Sequence, residues 1–157
     1  KWENRLMHDN GSQCLVTVDG TDFAIREPQP FDPKWYSHKM NGPGVQYEVA
    51  ICIQSGWIVW IHGPFPCGAW PDFQIARDSL IEMVDPSEKI LADGSYKDNN
   101  QYFETPSGLN NATERMKALA RARHEHATDV LSNSVHSHSD SGTPGKNMVL
   151  FLLSLPK

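Results

Sequence analysis

The sequence predicts an α/β domain, and three observations carry that prediction. Short apolar, β-branched runs of strand length fill the first half of the chain, two segments with apolar residues at helical spacing follow, and Gly/Pro stretches separate the elements. The size agrees: 157 residues, 39% hydrophobic and 21% charged, are the values of one globular domain. A compact chain of this length buries roughly 68–70% of the surface its unfolded form exposes, enough for a core without disulfide staples.

Taken in order, residues 1–13 are polar and predict a helix end and a turn at Asn10-Gly11. Cys14–Val18 is a buried strand bounded by Asp19-Gly20, and Phe23–Ile25 continues as a second strand. From Glu27 to Gly44 the prolines and glycines predict a loop carrying Trp35-Tyr36-Ser37-His38-Lys39, long enough to serve a site. Tyr47–Ile53 and Trp57–Ile61 read as antiparallel strands joined by Gln54-Ser55-Gly56, and Gly63–Gly68 ends the sheet portion. A helix opens at Asp72 and closes before Pro86. Lys89–Ala92 is a short strand leading into Asp93-Gly94. A last helix runs from Thr113 to about Leu131, with Met116, Leu119, Ala120, Ala127, Val130 and Leu131 on one stripe.

Several classes lose support. Cys14, Cys52 and Cys67 are odd in number and form no Cys-x-x-Cys pair, so they read as reduced and the compartment as intracellular. The longest apolar run, Met148–Leu155, falls short of the about 20 residues a membrane span needs. The sequons at Asn10 and Asn111 matter only in a secreted chain. The net charge of −5 argues against a free-standing nucleic-acid binder, so a DNA role needs local basic patches or a partner. His124-Glu125-His126 lacks zincin spacing, and no serine elbow, Walker loop or dinucleotide turn occurs. His136 and His138 sit in a Ser-rich tail and read as solvated, while Trp57 and Trp60 read as core and face residues rather than a stacking platform.

Four acids remain as candidates. Asp19 and Asp93 each follow a short apolar strand and precede a glycine. Carboxylates at the ends of neighbouring strands converge, and their like charges are tolerated when a hard cation such as Mg²⁺ or Mn²⁺ lies between them. The simpler reading is that each Asp-Gly makes a turn. Glu125 lies in a basic helix segment, either facing such a cation or pairing at i,i+4 with Arg121. Asp72 is either a further ligand or an ordinary acid at a helix N-terminus.

Taken together, these residues resemble the DDE-superfamily endonuclease domain of Harbinger-type transposases. Val16-Thr-Val-Asp-Gly-Thr-Asp-Phe23 is similar to the family's Val-Asp-Gly-Thr opening. Trp35-Tyr-Ser-His-Lys39 followed by Tyr47-Glu-Val resembles its aromatic-x-x-Lys loop and third strand. The stretch from Gly63 to Asp72, with Arg77 beyond it, resembles its Gly-x-x-x-Asp segment and following Arg. Ile90–Tyr96 is similar to an altered Asp-x-Gly-Tyr signature, and Ala120–Glu125 to its Arg-rich helix.

The resemblance covers residues 2–126 and implies an RNase H-like mixed sheet with flanking helices. It carries the catalytic and metal-binding roles onto Asp19, Asp72, Asp93 and Glu125, with Mg²⁺ or Mn²⁺ as cofactor. Lys39, Arg121 and Arg123 become the candidate DNA-phosphate contacts. It further implies DNA as substrate, a nuclear location and a Myb-like partner that supplies DNA recognition. The catalytic domain is expected over 1–131. Residues 132–157 depart from the family and are expected to be an irregular tail, as a frameshifted or decayed copy would have. The rival from another class is an inactive transposase-derived module that binds DNA or protein. A metal-free hydrolase with paired carboxylates would need acids about 5–9.5 Å apart.

Overall fold

The computed structural model describes residues 1–7, 13–70, 72–99, 101–106 and 112–138; for 72–73, 97–99, 112–113 and 131–138 it describes the backbone alone. The Asn10-Gly11 turn, the asparagines of both sequons and the apolar run after residue 147 lie outside the described residues. The class is mixed α/β: among the described residues there are six strands, β1 (Cys14–Ala24), β2 (Tyr36–Ser37), β3 (Gly42–Cys52), β4 (Ile58–Pro66), β5 (Lys89–Leu91) and β6 (Phe103–Glu104), with helices α1 (Asp72–Ser79) and α2 (Ala112–His138). No helix among the described residues is long and apolar enough to cross a membrane.

The sheet is open and mixed. Its order is β4-β3-β1-β5-β6, with the short β2 against the first residues of β3. β1, β3 and β4 pair antiparallel, whereas β5 runs parallel to β1 and β6 parallel to β5. A parallel return requires a crossover, and the segment carrying α1 supplies it between β4 and β5.

Among the described residues two apolar clusters pack the sheet; the smaller joins Phe23 and Tyr47 with Val45 and Ile61, and the larger is built from several strands. Val16 and Val18 from β1, Ala50 and Cys52 from β3, Trp60 from β4 and Ile90 from β5 pack with Ala76, Leu80, Tyr96 and Phe103. Each such fully buried aliphatic side chain stabilises the fold by roughly 1.5–3 kcal/mol. The N-terminal 3-10 turn, Trp2–Leu6, is tied on from outside. Arg5 makes a two-point ion pair with Glu88 at 3.0 Å, and the Trp2 indole donates to the Met83 carbonyl at 2.9 Å. Cys14, Cys52 and Cys67 form no disulfide among the described residues.

Several boundaries differ from the sequence reading. Asp19-Gly20 does not interrupt β1: Asp19 pairs with Val49 and Gly20 with Glu48, because the long antiparallel partner β3 carries the strand through. The expected loop over 27–44 contains a 3-10 turn at Pro33–Trp35, then β2 and the start of β3. Gly63 and Pro64 lie inside β4 rather than ending the sheet. Gly63 has φ 143°, and a Cβ there would stand 2.8 Å from the Gln46 carbonyl oxygen and from the Tyr47 ring, so only glycine fits. The helix opening at Asp72 ends at Ser79, and a 3-10 turn, Ile81–Met83, takes up the rest of the predicted segment. β6, of only two residues, was not predicted.

The last helix differs in phase and in length. Met116, Leu119 and Val130, expected on a buried stripe, are 66%, 56% and 51% exposed. Of the expected stripe Ala120 is buried, and its inward companions are Arg121, His124 and Thr128. α2 also continues past Leu131 to His138, so residues 132–138 are helical rather than irregular. Residues 139–157 lie outside the described residues.

Candidate functional site

The parallel ladder of β1 and β5 ends where Thr17 stands opposite Leu91. Two residues further along each chain come Asp19 and Asp93. Beyond this point β1 continues beside β3, while the chain after β5 leaves the sheet and enters a 3-10 turn at Gly94. The divergence opens a cleft at the carboxyl ends of parallel strands, the usual place for a ligand in such a sheet. Its volume is about 800 Å³, and Asp19, Asp22, Asp93, His38, Lys39, Arg121 and Glu125 are among the side chains that line it.

Each acid is held differently. One Asp19 oxygen accepts from its neighbour's Gly20 N–H at 2.9 Å, and the other accepts from the Arg121 guanidinium at 2.9 Å. Asp93 accepts from the N–H and the hydroxyl of Ser95 at 2.8 and 2.5 Å, which is the turn-forming role that its Asp-Gly context suggested, yet it still faces the cleft. Glu125 is the most open, its side chain 63% exposed, with an oxygen 4.0 Å from Arg121 one helical turn earlier. Asp72 stands at the first position of α1, and its side chain lies outside the described residues.

The basic residues divide sharply. Arg121 is only 7% exposed; besides Asp19 it donates to the Val18 carbonyl at 2.8 Å and lies 3.5 Å from the Thr17 hydroxyl. The guanidinium thus lines the cleft while already engaged by Asp19 and the Val18 carbonyl. Lys39 is exposed and lines the cleft. It sits on an anchored turn: the Ser37 hydroxyl donates to Asp22 at 2.5 Å and accepts from the Met40 N–H, while the Tyr36 hydroxyl meets Asn41 at 2.7 Å. Arg123 is exposed and does not line the cleft.

Two buried polar residues complete the surroundings. His124 is fully enclosed between α2 and β1, and neither ring nitrogen has a partner at hydrogen-bond geometry. Burial first, then the nearby Arg121 charge, push its pKa down to about 3, with the Thr17 backbone opposing weakly, so the ring is neutral at physiological pH. Glu48 is buried in the sheet and accepts from the Tyr96 hydroxyl.

Carboxylate oxygens brought from β1, from the end of β5 and from α2 have the chemistry that a hard divalent ion prefers. Among the described residues no three His, Cys, Asp or Glu side chains are grouped closely enough to hold one ion as they stand, and the cation that Asp19 meets is Arg121. The sequence pointed to His38 only as part of the loop expected to serve a site, and it did not single out Asp22 as a cleft residue or Arg121 as the partner of Asp19. The Arg121 pairing had a signal: with Ala120, His124 and Thr128 it forms a helical stripe, obscured because that stripe is polar. Comparison with protein-family models, curated proteins and solved structures returned no match.

Proposed function

We propose that the chain is the catalytic domain of a metal-dependent DNA endonuclease of the Harbinger transposase type, with an RNase H-like fold. The observation that carries this reading is the convergence of Asp19, Asp93 and Glu125 on one cleft from the first strand, from the end of its parallel neighbour and from the last helix. An RNase H-like site has its acids on those elements. Asp72 joins them by resemblance alone.

Asp19, Asp93 and Glu125 would hold Mg²⁺ or Mn²⁺, which when bound activates a water or a DNA 3′-hydroxyl and stabilises the leaving oxygen at a phosphodiester. The chain's own groups do the positioning. The Gly20 N–H fixes the Asp19 carboxylate, the Ser95 contacts fix Asp93, and Lys39 presents a positive charge to a phosphate in the cleft. Arg123 lies outside the cleft and would touch DNA only beyond it. The net charge of −5 favours a division of labour in which a Myb-like partner supplies DNA recognition, in the nucleus. Asp19→Asn is expected to remove Mg²⁺-dependent nicking of supercoiled plasmid; an undiminished rate in the variant would refute the assignment.

A second reading, an inactive transposase-derived binding module, is favoured by the Arg121–Asp19 ion pair, which already neutralises the central acid. Thermal unfolding separates the two. A site holding its ion at 100 times Kd gains about 2.7 kcal/mol, whereas the inactive module shows no shift with Mg²⁺ or Mn²⁺.

A further inference from the structure

We infer that Arg121 is a resident counter-cation of the cleft: it holds Asp19 in the metal-free protein, and a divalent ion that takes Asp19 as ligand has to displace it. Arg121 thereby sets the affinity of the cleft for metal. The inference rests on the metal-dependent reading of the same cleft.

Three observations carry it. The guanidinium meets the Asp19 oxygen at 2.9 Å, while a Mg²⁺ ion would need that oxygen at about 2.0–2.1 Å, so the two cations compete for one acceptor. Arg121 is buried and anchored independently by the Val18 carbonyl at 2.8 Å, so it occupies this position as part of the fold rather than as a passing surface pair. A second acceptor is also within reach: Glu125 lies 4.0 Å from the same nitrogen, one helical turn on, and gives the displaced guanidinium a place to go. Because Glu125 is itself a candidate ligand, the arrangement couples metal entry to a choice between two carboxylates for one arginine.

The test is calorimetric titration of Mn²⁺ into the 157-residue chain and four variants: Arg121→Gln, Asp19→Asn, the double variant, and Arg115→Gln as a control of equal charge change on an exposed part of the same helix. Arg121→Gln is expected to bind Mn²⁺ at least tenfold tighter than wild type, Arg115→Gln to match wild type, and Asp19→Asn to abolish binding in either background. If wild type binds Mn²⁺ through Asp19 but Arg121→Gln binds no tighter, or Arg115→Gln gains as much, the counter-cation role is overturned while the metal site stands. If no protein binds Mn²⁺, both readings fall. Should Arg121→Gln not fold, NMR of the wild-type Arg121 Nε–H during Mg²⁺ titration decides. A saturating shift that tracks binding supports displacement, and an unmoved resonance in the metal-bound protein overturns it.

Discussion

On one face of β1, Val16 and Val18 pack with Ala50, Ile90, Ala76 and Leu80 in an apolar core; on the other, Thr17 and Asp19 meet Arg121, with His124 buried alongside. The same strand therefore serves two purposes by the alternation of its side chains. The first face carries the larger apolar cluster, while on the second Val49, Ile51 and Leu91 are buried beside Thr17 and Asp19. The polar face encloses a guanidinium and a neutral imidazole, groups whose desolvation costs stability unless partners offset it. That division shows where the fold is held together and where it spends stability to position chemistry.

The contrast is broken most severely from the apolar side. Leu80→Ala removes a fully buried side chain under the sheet and is expected to cost about 2–5 kcal/mol in chemical denaturation. A loss below about 0.5 kcal/mol would mean that this face does not carry the core.

On the polar side the expected signature is pH. His124 has its folded-state pKa lowered from 6.5 to about 3, so its contribution is neutral above pH 6.5. As pH falls below that value, the unfolded chain takes up a proton that the folded one refuses, and stability declines until about pH 3. The loss is about 2 kcal/mol at pH 5. Urea midpoints for His124→Leu should lack this component between pH 7 and 5, and an equal slope in variant and wild type would assign the acid sensitivity elsewhere.

Much of the fold follows from patterns that are local. The β3–β4 hairpin and the short strand before Asp93 are visible because strand-length apolar runs are bounded by Gly or by Asp-Gly. What was not legible depends on partners distant in the chain. Asp19-Gly20 has the composition of a turn, and only the pairing of Gly20 with Glu48 keeps β1 running through it. The phase of α2 was misread because its buried stripe contains Arg121, His124 and Thr128, while Met116 and Leu119 point outward, so hydrophobicity alone selects the wrong face. Asp19, Asp93 and Glu125 were legible as candidates and do share a cleft. The Arg121 contact was not, since it joins residues about a hundred positions apart.

The smallest expected effect lies at the border of the polar face. Lys117 bridges Glu104 at 2.6 Å and Glu114 at 3.0 Å, and its hydrogen bond holds the Glu104 carboxyl below its ordinary pKa while raising its own. Glu104 is one-third exposed, so Lys117→Met should cost less than about 1 kcal/mol. The difference from wild type should shrink further in 1 M salt, and a salt-independent loss above 2 kcal/mol would make this pair part of the core.

The proposal that Asp19, Asp93 and Glu125 form a cation site is tested most directly by anomalous diffraction from crystals of the chain grown with Mn²⁺. The account predicts a manganese peak in the cleft within ligand distance of Asp19 and Asp93, with the Arg121 guanidinium turned off Asp19. A fully occupied Arg121–Asp19 ion pair and no peak in the cleft would contradict it.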